Sequence, residues 1–192
     1  MASLERAIQV MHERYGIPHI VLTSVSLTHP DHPPSSLSVV GSTMTSDRRA
    51  RAFKIVFPAI DCYFSGTGDM FAALMVVRMR EAAWKTPGLM TTESWLSGDE
   101  VDALELPLAK AAEKVLASMH EVLTKTSESM DVKMKRARAE MGQRQEGNGD
   151  QNGKGDDEMK MHVLKSKAAE LRLVRHLDSL RFPKVEFHAV RV

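Results

Sequence analysis

Gly66-Thr67-Gly68-Asp69 is the stretch of the sequence whose residue types and spacing could run a reaction. It lies between Ile60-Asp61-Cys62-Tyr63-Phe64 and the apolar run Met70-Phe71-Ala72-Ala73-Leu74-Met75-Val76-Val77. A helix that starts here points free backbone N–H groups outward, and its dipole adds partial positive charge. Glycines let a phosphate approach that backbone closely, so the segment reads as an anion site. A carboxylate such as Asp69 is useless for holding phosphate. Its use there is to accept a proton from an attacking hydroxyl during phosphoryl transfer. The lysine and Ser/Thr of a P-loop are absent. Taken alone, the four residues fit a plain helix-capping turn roughly twice as well, because short Gly motifs recur by chance.

The surrounding elements must position this loop. Ser3 to about Tyr15 reads as a helix, stopped by Gly16 and Pro18. His19-Ile20-Val21-Leu22-Thr23-Ser24-Val25 reads as a strand apolar on both faces, the pattern of a buried strand in a layered α/β sheet. Leu37–Thr43 and about Arg51–Pro58 read as a hairpin around Thr45-Ser46-Asp47-Arg48-Arg49. The apolar run after the loop extends as a helix to about Trp84; being apolar all round, it is expected to be buried. A second long helix is expected from about Asp99 to Thr124, with Pro107 dividing off its first turns. Gly142 to Glu158 contains no apolar side chain and is expected to be disordered. An amphipathic helix near Leu164–Leu180 and a last strand over Val185–Val190 follow.

Composition narrows the function classes. The chain has 192 residues, with 26 Lys and Arg against 25 Asp and Glu, a formal net charge of +1. That balance argues against nucleic-acid coating and against a polyacidic tail. The single cysteine, Cys62, cannot form an intrachain disulfide, which points to a reducing cytoplasmic compartment or the nucleus as well. Met70–Val77 is far shorter than the about 20 residues of a membrane span. Neither nucleic acid nor membrane is therefore an expected partner.

Other clusters carry less. His29-x-x-His32, with Asp31 between, lies among prolines and finds no second cluster to complete a metal set, so no metal ligand is assigned. Asp150-x-Asn152-x-Lys154 approaches a calcium loop but puts Lys154 where an oxygen ligand is needed. Arg48, Arg49 and Arg51 have the fork of donors that suits phosphate, or form a solvated hairpin tip. Lys133 to Arg138 reads as a solvated helix end.

Gly66-Thr67-Gly68-Asp69-Met70-Phe71-Ala72-Ala73-Leu74, preceded by Asp61, closely resembles the signature loop of pyridoxal kinases, members of the ribokinase-like superfamily. Ile20-Val21-Leu22-Thr23-Ser24 resembles their strand ending in Thr-Ser. Leu106 to Thr124 looks like their next helix, and Glu170 to Val192 like their C-terminal helix and strand. Sugar kinases of the superfamily favour Ala at the Thr67 position, so Thr67 with Phe71-Ala72-Ala73-Leu74 favours the vitamin B6 branch.

The resemblance implies a three-layer α/β/α sandwich, usually dimeric, of which this chain carries the C-terminal portion. Residues 1–141 would form the ATP-side half, 142–158 an inserted polar segment, and 159–192 the closing helix and strand. It implies transfer of the ATP γ-phosphate to the 5′-hydroxymethyl oxygen of pyridoxal, pyridoxine or pyridoxamine, with Mg²⁺ and a monovalent cation (K⁺ or Na⁺). Asp69 matches the proton acceptor, and Gly66, Thr67 and Gly68 match the anion hole. Thr23 and Ser24 match nucleotide contacts, and Ile60, Asp61 and Cys62 match a segment along the nucleotide. The family's N-terminal half supplies most of the vitamin pocket, so the chain alone is expected to bind pyridoxal poorly and turn over little. The alternatives are another ribokinase-like kinase, of hydroxymethylpyrimidine type, and a non-catalytic remnant that binds nucleotide or dimerises with a full-length kinase.

Overall fold

The computed structural model describes residues 2–26, 35–147 and 154–192. Helix α1 (Ala2–Tyr15) leads into strand β1 (His19–Val25). Strands β2 (Ser36–Met44) and β3 (Ala50–Pro58) form the expected hairpin, and helix α2 (Thr67–Lys85) follows. Then come α3 (Pro107–Gly147), α4 (Lys154–Ala168), α5 (Leu177–Arg181) and β4 (Val190–Arg191). The strands make one antiparallel sheet in the order β1-β2-β3-β4.

Alternation along β2 and β3 decides what each sheet face meets. Val39, Phe53 and Ile55 join Leu108, Ala112 and Leu116 of α3 in the main core. The opposite face carries Val40 and Ser42. There the fully buried His12 of α1 donates from Nδ1 to the Ile17 carbonyl at 2.6 Å and accepts from Ser42 Oγ through Nε2 at 2.9 Å. Helices thus cover both faces, the layering expected of an α/β sandwich. The α2 helix lies against α3, with Met70, Val115, Met119 and Val122 buried between them.

Several expectations need correction. Strand β1, whose apolar pattern suits burial within a full sheet, is half-buried to exposed in this chain, where it lies at the edge of the sheet. The α2 helix is not buried all round. Val76, Val77 and Trp84 are 70%, 54% and 76% exposed, since α2 packs through Met70, Met79 and Ala83. The second long helix starts at Pro107 rather than near Asp99, and it runs well past Thr124. Proline suits the first helical position, where its missing N–H has no partner to lose.

The C-terminal region also differs. The polar stretch is helical at both ends, since 142–147 close α3 and 154–158 open α4. Its centre, 148–153, lies outside the described residues, as do His29, Asp31 and His32. Straight-chain Gln, Glu and Lys favour helix without any apolar burial. The helix expected over Leu164–Leu180 breaks after Ala168, where Glu170 forms a parallel bridge to Ser65 beside the glycine loop. The last strand shrinks to Val190–Arg191, because side chains of α3 take up the backbone donors before it. Ala189 N donates to Glu113 Oε1 at 2.9 Å, and Lys184 N donates to Glu121 Oε1 at 3.0 Å.

Candidate nucleotide site

Gly66 is the N-cap of α2, at φ 84° and ψ 10°. An L side chain is strained there, whereas glycine adopts this conformation freely. The turn closes when Met70 N donates to the Gly66 carbonyl at 3.0 Å. The N–H groups of Gly66, Thr67, Gly68 and Asp69 therefore have no partner within the helix. The space beside them is open, for a Cβ added at Gly66 or Gly68 would meet nothing within 4 Å. Asp69 is exposed and makes no hydrogen bond or ion pair with the described residues.

A cavity of about 240 Å³ opens beside this helix start. Thr23, Ser24, Ile60, Cys62, Thr67 and Gly68, all expected at a nucleotide site, line it together. Asp61, Gly66 and Asp69 are not in its wall. Thr23 and Ser24 reach the wall through an irregularity. The β1–β2 register slips between Leu22 and Val25, and Ser24 sits at φ 55°. Bulges of this kind re-aim side chains and cluster at functional sites. Cys62 lies 3.9 Å from Met130 Sδ, and burial pushes its thiol up, toward the protonated form.

The rest of the wall comes from residues that the sequence did not single out. Leu37, Val39 and Phe57 supply the sheet side; Phe71, Leu116, Met119, His120 and Leu123 supply the helical side. Leu116, Met119 and Leu123 follow the same spacing as the core residues of α3, so nothing in the pattern separates cavity wall from core. His120 packs edge-on against Phe187, with ring centroids 5.0 Å apart.

Arg48, Arg49 and Arg51 do not reach the cavity. Arg51 donates to the carbonyls of Met44, Ser97, Gly98 and Val101, tying the hairpin to the 97–101 turn. Arg48 donates to the Glu13 carbonyl, and Arg49 pairs with Asp47 at 2.6 Å. In the basic stretch of α3, Arg136 pairs with Glu140 at 2.8 Å on an exposed helix face. Among the described residues, no group of three or more His, Cys, Asp and Glu could hold a metal ion.

No family model matches the chain. Two curated relatives from Schizosaccharomyces pombe, both provisionally named pyridoxal kinases, are each 28% identical, over 123 and 129 residues. Those matches take in 64% and 66% of this chain but 34% and 35% of the relatives. Among solved structures, the pyridoxal kinase of Leishmania donovani bound to ADP superposes over the whole chain with a TM-score of 0.61 and 19% identity. Its complex with ADP and pyridoxamine gives 0.60. This chain has the pyridoxal kinase fold. It spans about a third of the length of the curated relatives and 45% of the solved kinase. Within the pyridoxal kinase fold it carries an antiparallel sheet, the helix with the Gly66 cap, and the cavity between them.

Proposed function

We propose that this chain forms the ATP-side half of a pyridoxal kinase, which phosphorylates the 5′-hydroxymethyl group of a vitamin B6 vitamer. The observation that carries the reading is the convergence of Thr23, Ser24, Ile60, Cys62, Thr67 and Gly68 on one cavity with an uncapped helix N-terminus in its wall. The solved relatives hold ADP, and some also hold pyridoxamine or pyridoxine, which supports the same substrates here.

In this reading the nucleotide lies along the cavity with its phosphates at the Gly66–Asp69 N–H groups. The vitamer hydroxyl oxygen attacks the γ-phosphorus, its proton passes to the Asp69 carboxylate, and ADP leaves. The N–H groups stabilise the charge on the transferring oxygens, which is where such donors contribute most. The described residues do not themselves form a metal cage, so no step is assigned to Mg²⁺ or to a monovalent cation bound by this chain.

Calorimetric titration of ADP into the purified chain, with an assay of pyridoxal phosphorylation, tests the reading. ADP binds, whereas turnover by the chain alone is small because its relatives are about twice as long. Asp69→Asn leaves ADP affinity within about twofold and lowers whatever turnover there is by about 10²–10⁴-fold. A chain that does not bind ADP, or an Asp69→Asn variant with unchanged turnover, sinks the proposal.

A further inference from the structure

We propose that His120 reads the nucleobase, so that it sets the nucleotide preference of this site; the inference rests on the nucleotide reading above. The cavity has two kinds of wall. Thr67 and Gly68 belong to the helix N-terminus, which suits phosphate oxygens. Leu37, Phe57, Met119 and Leu123 are apolar and suit the faces of a flat heteroaromatic ring. A nucleobase placed among apolar side chains must still satisfy the nitrogens and exocyclic groups on its edge, because a polar atom left unpaired on burial is costly.

His120 is the one side chain in that wall with ring nitrogens, and a neutral imidazole both donates and accepts. Among the described residues its nitrogens make no hydrogen bond, in contrast to His12 and His19, each of which commits both nitrogens to the protein. The ring is also held in place. Phe187 packs edge-on against it at 5.0 Å, and Phe187 leans in turn on Phe57, a cavity residue, at 6.4 Å. A fixed ring with free hydrogen-bonding capacity is preorganised for a ligand edge, which lowers the ordering cost of binding. Packing alone would be served equally by phenylalanine.

The test uses the purified chain and two probes, ADP and inorganic tripolyphosphate, with His120→Phe and His120→Asn. His120→Phe keeps the ring stack and removes the nitrogens; His120→Asn keeps a donor and an acceptor and covers the case where the first variant folds poorly. His120→Phe weakens ADP about tenfold, the size expected for losing one good hydrogen bond. It leaves tripolyphosphate affinity and the melting temperature unchanged. His120→Asn retains more ADP affinity than His120→Phe, and its preference between ADP and GDP shifts. Equal ADP affinity in wild type and His120→Phe overturns the proposal, as does an equal loss for both probes, which marks a structural role. Failure of the wild-type chain to bind ADP is a different result, for it removes the nucleotide reading itself.

Discussion

His19 begins β1 with both ring nitrogens engaged. Nε2 donates to the Ser94 carbonyl at 2.8 Å, and Nδ1 accepts from Thr43 Oγ1 at 3.0 Å. Burial lowers its pKa; the hydrogen bond to Ser94 opposes the shift, and His12 and Arg51 add to it. The folded value therefore lies below 6.5, the ordinary one. Between the two values the unfolded chain binds more protons, so stability rises with pH there. The contribution is complete above pH 6.5 and is lost as pH falls through the folded value. Urea midpoints at pH 7.5 and 5.5 check this: wild type weakens at the lower pH, and His19→Gln flattens the difference. An unchanged difference in the variant removes His19 from the account. At this scale the sequence was legible where chemistry is local. Gly66 announces itself through a backbone conformation that glycine adopts freely, and Thr67, Gly68, Thr23 and Ser24 through their likeness to short kinase motifs. His120 and Phe57 do not, because they become cavity wall only when α3, the sheet and the tail strand around Phe187 come together.

The hairpin shows how one glycine can fix an element. Gly41 of β2 faces Phe53 of β3 across the sheet, and the Phe53 ring lies directly over it. A Cβ at Gly41 would overlap that ring, and Phe53 is fully buried with no room to retreat. Gly41→Ala is expected to destabilise by about 1–3 kcal/mol, as overpacking does. In a chain of this length each kcal/mol lowers the melting temperature by about 2–4 °C. Phe53→Leu frees the space, so the penalty of Gly41→Ala shrinks in that background, and a double-mutant cycle measures the coupling. Additive effects would mean that the ring and the glycine do not meet. Element positions were readable from the sequence because periodicity and Gly-Pro punctuation are local. Element ends were less so. Pro107 becomes the first residue of α3, and the tail before Val190 gives its N–H groups to Glu113 and Glu121, a long-range competition that no local pattern records.

Over the whole molecule, apolar surface is unevenly covered. The α2 helix packs on α3 along one side, and Arg78 ties it to the C-terminal region by donating to the carbonyls of Leu180 and Arg181. Its other side leaves Val76, Val77 and Trp84 in solvent around Arg80, at spacings that bring them onto a common face. An all-round apolar helix was legible in the sequence; which side would be covered was not, because that depends on how much of the larger fold surrounds it. The chain supplies 45% of the length of the solved kinase it superposes on. Contiguous exposed apolar patches drive association, and an edge strand such as β1 adds a second sticky feature. The purified chain is therefore expected to self-associate as its concentration rises. Val77→Lys with Trp84→Lys should lower the weight-average mass by light scattering. Exposed positions tolerate such changes within about 0.5 kcal/mol, so the melting temperature should hold. A mass that does not fall would place the sticky surface elsewhere, at β1 first. A melting temperature that collapses would mean that Val77 and Trp84 pack within the chain, and that the exposed face of α2 is already covered.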